Sequence, residues 1–125
     1  MNINNLKAVH HIAIICSNYE KSKYFYTDVL GLTIIREVYR EERKSFKIDL
    51  ALNDQYIIEL FSFPDPPKRS SGPESCGLRH LAFSVNDIEK AILSLSEKGV
   101  KTEPLLVTRI TDNEGKLIKE FTVEQ

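Results

Sequence analysis

The sequence predicts an α+β fold made of two βαβββ modules, the second of them shortened. Three observations predict it. The first half reads as strand, helix and three further strands. A proline-rich stretch then interrupts the chain. Beyond it the strand–helix pattern restarts at His80 much as it began at His11.

Composition sets the outer limits. The chain has 125 residues, 42% hydrophobic and 28% charged, with a formal net charge of -1. That is enough apolar material for one compact domain and too much for a disordered chain. Near-neutrality gives no electrostatic case for nucleic acid or an anionic membrane surface. No apolar run approaches the roughly 18 residues of a membrane span, and the start, MNINNLKAVHH, lacks a secretory pattern. Cys16 and Cys76 make no disulfide framework, so a cytoplasmic location is expected.

The elements follow in order. Residues 8–16, AVHHIAIIC, form an apolar β-rich run that reads as a buried strand. Ser17 or Asn18 can cap the next helix, and Glu20 stands in its first turn, where a carboxylate suits the helix dipole. Tyr19, Ser22, Phe25, Tyr26, Val29 and Leu30 give it an apolar stripe, and Gly31 ends it. The Tyr24-Phe25-Tyr26 cluster is expected in the core. TIIREVYRE, FKIDLALN and YIIELFSF read as three strands, with Asn53-Asp54 as a hairpin turn. Residues 64–76 hold four of the five prolines, which excludes a central strand or helix there. LRHLAFSV then reads as a strand, and DIEKAILSLSEKG as a helix capped by Asn86 or Asp87. KTEPLLVTRI and KLIKEFTVE are strands around the turn DNEG. The domain over 1–125 is thus a module over 8–63 and a module over 78–125, joined by a loop over 64–77.

The repeat can be laid over itself without gaps. HIAIICSNYEK begins at His11 and HLAFSVNDIEK at His80. A lone strand histidine is usually structural. Two related by an internal repeat can converge where the modules meet, and neutral imidazole is a common ligand for divalent metals. Glu59 is the only charge in the apolar run YIIELFSF. A carboxylate there must be paired, protonated, metal-bound or turned outward. Phe61 and Phe63 share its face by period 2, which makes simple exposure the poorer choice.

VHHIAI, KYFYTDVLGL, IIELFSFP and CGLRHLAFSV together resemble the vicinal oxygen chelate superfamily, which holds glyoxalase I, bleomycin-resistance proteins and extradiol dioxygenases. In particular they resemble its small bacterial glyoxalase-like proteins of the YaeR type, over roughly residues 8–106. The resemblance implies paired βαβββ modules curled around a divalent metal ion (Zn, Ni, Co, Mn or Fe). It implies His11, Glu59 and His80 as ligands, a small-molecule substrate and a homodimer. His10, the neighbour of His11, would face the other way.

The fourth ligand is implied to stand near the end of the chain, where the family pattern is altered. Glu120 in TDNEGKLIKEFTVEQ is the first candidate. Glu124 shares its face, and a centre with no fourth protein ligand is the remaining choice. Glu120 follows His80 more closely than Glu59 follows His11, so the second module is the shorter.

By the same resemblance the reaction is a glyoxalase I-like isomerisation of a hemithioacetal or α-hydroxycarbonyl compound through an enediolate. The metal acts as a Lewis acid, and Glu59 or Glu120 as the base. A dioxygenase would need only two histidines and one glutamate. A binding or resistance protein would need no metal. Arg36, Arg40, Arg43 and Lys47 form a basic series that could receive an anionic substrate, interleaved with Glu37, Glu41 and Glu42. Each taken singly is more simply a solvated edge residue.

Overall fold

The computed structural model describes residues 5–70, 72, 74–103, 105–111 and 117–124, with 105–111 and 117–124 described by their backbone alone. No helix among them is long and apolar enough to cross a membrane. The residues divide into two compact units, Met1–Ser75 and Cys76–Gln125.

The first unit runs β1 (Ile12–Cys16), α1 (Tyr19–Tyr24), β2 (Thr33–Arg40), β3 (Ser45–Leu52) and β4 (Gln55–Ser62). The strands lie in the order β1-β4-β3-β2. β1 and β4 are parallel, and the other pairs are antiparallel. Asn53 and Asp54 take φ of 51° and 64°, the paired left-handed geometry of a tight hairpin turn, as their residue types predict.

The sheet has one dry face. Ile48, Leu50, Ile58 and Leu60 are completely buried on it. α1 lies over that face: Tyr19 is buried, stacks on Phe46 at 4.6 Å, and donates its hydroxyl hydrogen to Glu37. Lys23 closes the group with an ion pair to Glu37 of 2.9 Å. β1 is covered on one side only. Cys16 is buried, whereas Ile15 on the opposite face is 60% exposed, so the expectation of a fully buried strand is corrected. Cys16 and Cys76 are both free thiols, and Cys16 donates to the Phe61 carbonyl at 3.2 Å.

The first helix changes pitch. α1 passes at Phe25 into a π turn, Phe25–Val29, in which the Leu30 amide reaches the Phe25 carbonyl at 2.9 Å. The change of pitch rotates the stripe. Val29 is buried, but Tyr24 is 49% and Phe25 37% exposed, so this part of the aromatic cluster is not core.

The second unit holds α2 (Ile88–Glu97), β5 (Leu105–Thr111) and β6 (Leu117–Glu124), with β5 and β6 antiparallel. Its helix entry repeats that of the first unit. Asn18 Oδ1 accepts from the Lys21 amide at 3.1 Å, and Asp87 Oδ1 accepts from the Lys90 amide at 3.1 Å. Both helices end before a glycine at positive φ, Gly31 at 83° and Gly99 at 79°. The stretch from Asn18 to Gly31 is longer by a single residue than that from Asp87 to Gly99, and the π turn absorbs the difference. Asn18→Ala and Asp87→Ala are each expected to cost about 1 kcal/mol of stability, read by urea denaturation.

The α+β class holds, but the strand expected over 78–85 does not form. The physical reason lies in the pairing. β1 is held by β4 as its parallel neighbour. In the second unit β5 and β6 pair with each other, and no further strand among the described residues is there to receive 78–85.

Candidate functional site

The far face of the first sheet is open and polar. In the parallel pair Ala13 faces Glu59, and in the antiparallel pair Asp49 faces Glu59. His11 stands just ahead of β1, and its ring is set at this face by Tyr56. Lys47, Asp49, Phe61 and Ala13 share that face by alternation.

A bulge adds Tyr56 to the group. Leu50 faces Ile58 but Ala51 faces Tyr56, so Ile57 is an extra residue and the alternation of β4 resets there. The Tyr56 hydroxyl donates to Glu59 Oε2 at 2.7 Å, with Asp49 Oδ1 at 3.1 Å. Lys47 Nζ lies 3.3 Å from the same Glu59 oxygen and 3.5 Å from Asp49 Oδ1. The His11 ring stacks on the Tyr56 ring at 4.8 Å. His10 does not face away as expected: its Nδ1 lies 2.8 Å from Nδ1 of His11, with one of the two donating. β1 starts only at Ile12, so strand alternation does not govern this pair.

The electrostatics follow from these contacts. Burial pushes the Glu59 carboxyl upward. The Tyr56 hydroxyl, the Lys47 ammonium and His11 outweigh it, and hold Glu59 below the ordinary carboxylate range. The same burial, with Glu59 and Asp49 beside it, pushes the Tyr56 phenol up. The folded state thus binds the Glu59 proton less readily than the unfolded chain does. That difference adds stability above the ordinary carboxylate range and is lost as pH falls through the depressed folded value. Tyr56→Phe keeps the ring under His11 and removes the hydroxyl. It is expected to move the Glu59 titration upward, followed by carbon NMR of the side chain in chelator-treated protein. An unmoved titration would refute the assignment to Tyr56.

Two donors on this face remain available. No hydrogen bond to Nε2 of His11 or to Oε1 of Glu59 occurs among the described residues. An imidazole nitrogen and an ionised carboxylate suit a divalent transition metal. Among the described residues no group of three His, Cys, Asp or Glu side chains is drawn together for a metal ion.

The other expected ligands belong to the second unit. His80 is exposed in the strandless segment before α2. Glu120 faces Arg109 in the β5–β6 register, and its side chain and that of Glu124 lie outside the described residues. The order α2–β5–β6 repeats α1–β2–β3. Glu120 therefore stands on a strand corresponding to β3, whereas Glu59 stands on β4. Sequence reasoning missed Tyr56. The alternation Lys47, Asp49 was visible, but the bulge that brings Tyr56 onto their face carries no residue signal.

The fold is that of a glyoxalase-type domain. The chain belongs to the Glyoxalase/Bleomycin resistance protein/Dioxygenase superfamily, whose pattern it matches over residues 8–116. It is 61% identical over 106 residues to the uncharacterised protein YaeR of Escherichia coli (strain K12), covering 85% of this chain and 82% of that protein. The solved glyoxalase family protein from Enterococcus faecalis is 41% identical, with a TM-score of 0.74, over 94% of this chain and 98% of that one. The fold is shared with a trypanothione-dependent glyoxalase I of Leishmania major at 18% identity and a TM-score of 0.58, over 95% and 80% of the two chains.

Proposed function

We propose that the protein is a divalent-metal-dependent, glyoxalase I-like lyase or isomerase acting on a small hemithioacetal or α-hydroxycarbonyl compound. The observation that carries this reading is the pair His11 and Glu59 on one open face, with Glu59 held ionised by Tyr56 and Lys47. The family match and the glyoxalase I of the same fold support it.

In this reading His11, Glu59 and His80 hold the metal, and Glu120 is the candidate for the fourth place. A bound divalent ion supplies Lewis-acid stabilisation of the charge that develops on the substrate oxygens. Glu59 or Glu120 would be the base that moves a proton between neighbouring carbons, and Glu120→Gln tests the second of them. Lys47 and Tyr56 keep Glu59 charged and fixed.

The protein is further proposed to act as a homodimer, in the cytoplasm. Elemental analysis of untagged protein, then a hemithioacetal isomerisation assay with Zn, Ni, Co, Mn and Fe, tests the function. Stoichiometric metal and metal-dependent turnover are expected. Protein that neither retains nor rebinds metal would sink the enzyme reading and leave a metal-free small-molecule binder in its place.

A further inference from the structure

Two guanidinium groups stand on one pair of aromatic rings at the far end of the open face. Arg40 closes β2, and its Cζ lies 5.2 Å from the Phe61 ring centre and 5.9 Å from that of Phe63. Arg43 comes from the short turn after β2 and lies 5.0 Å from Phe63. The two rings are nearly parallel, 13° apart. Arg40 Nη2 donates to Ser45 Oγ at 3.1 Å, and Ser45 is completely buried. The stack on the rings and the bond to a buried hydroxyl fix this guanidinium in one place.

What the cluster lacks is an anion. No carboxylate lies within ion-pair distance of Arg40 or Arg43 among the described residues, although Glu41 and Glu42 are their chain neighbours. Arg40 Nε is buried and finds no hydrogen-bond partner among the described residues. A guanidinium nitrogen shut off from water without a partner is costly, and two like charges on one ring pair repel each other. An oxyanion arriving beside them offsets that repulsion. Arg40 still has donors on its Nη atoms, and a planar guanidinium pairs with carboxylate or phosphate in bidentate fashion.

We propose that Arg40 and Arg43, held on Phe61 and Phe63, form a subsite for the carboxylate or phosphate end of a small anionic ligand. Phe61 is the next residue after Glu59 on that face of β4. Same-face neighbours on a strand are about 7 Å apart. The oxyanion therefore sits roughly 7–14 Å from Glu59, the length of a short linear metabolite. That this ligand is the substrate of the metal site rests on the function proposed above; the subsite itself does not.

The test is an NMR titration of chelator-treated, nitrogen-15-labelled protein with two probes, inorganic phosphate and succinate. Saturable shifts at the Phe61 and Phe63 amides and the Arg40 Nε signal are expected with at least one probe. Arg40→Lys keeps the charge and should weaken binding by about tenfold or more. Arg40→Met should abolish it with the rest of the spectrum unchanged. Lys21→Met, on the exposed side of α1, should leave it intact. His11→Ala should lose metal yet still bind the probe. Equal binding by Arg40→Lys and wild type, or shifts spread without saturation over all basic residues, would overturn the subsite. Wild-type protein that binds the anion but no metal would fault the enzyme reading alone.

Discussion

Glu59→Gln is expected to lose stoichiometric metal and to lower hemithioacetal turnover by about three orders of magnitude. The size follows from the chemistry. A Lewis-acidic ion stabilises a developing oxyanion by several kcal/mol, and about 1.4 kcal/mol makes a tenfold change in rate. The substitution keeps the shape of the side chain, so Tyr56 retains a hydrogen-bond acceptor and the sheet is unaltered. Asp49→Asn is the comparison that gives the result meaning. Asp49 lies directly opposite Glu59, shares Lys47 and Tyr56 with it, and is no more exposed. If the metal is held by Glu59 itself, Asp49→Asn keeps it. If the site is only a pool of negative charge, the two variants fail alike. Elemental analysis and turnover on both variants decide between these outcomes, and a Glu59→Gln protein that keeps its metal would sink the ligand assignment.

Leu60→Ala is expected to destabilise the first unit by about 3–4 kcal/mol, read from urea or thermal unfolding. Leu60 is fully buried between the sheet and the α1 side of the molecule, with Ile48, Leu50 and Ile58 around it on that face. Its removal leaves a cavity that a sheet cannot close without moving its own ladder. Phe61→Ala, one residue along, should cost distinctly less stability, because its ring lies on the open face beneath Arg40. A larger loss from Phe61→Ala than from Leu60→Ala would mean that the faces of β4 have been assigned the wrong way round.

Much of the first unit is legible in the chain because its signals are local. Gly31 precedes β2, Asn53-Asp54 divides β3 from β4 and Pro64 follows β4, whereas the charged turn between β2 and β3 carries no such mark. Glu59 stands out because a charge inside an apolar run needs a reason. Asn18 and Asp87 stand out because short polar side chains before an apolar stripe cap helices. What escapes is whatever depends on register. The bulge at Ile57 puts Tyr56 beside Glu59, and nothing in the letters YIIEL marks an extra residue. The segment around His80 has the composition of a strand, yet a strand also needs a neighbour, and composition does not supply one. Glu120 matches Glu59 by its neighbours in sequence, while element order matches its strand to β3.

The π turn after α1 has a consequence for how this domain tolerates change in length. One residue more between cap and glycine is absorbed as a wider coil, and the strands on either side keep their pairing. A single residue gained inside β4 between the bulge and Glu59 would do the opposite. It would turn Glu59 toward the Leu60 side and bring an apolar side chain to the open face. The extra residue of the first half is thus taken up at one turn of its helix, and any comparison of the two halves should put its gap between Phe25 and Val29, leaving β4 unbroken.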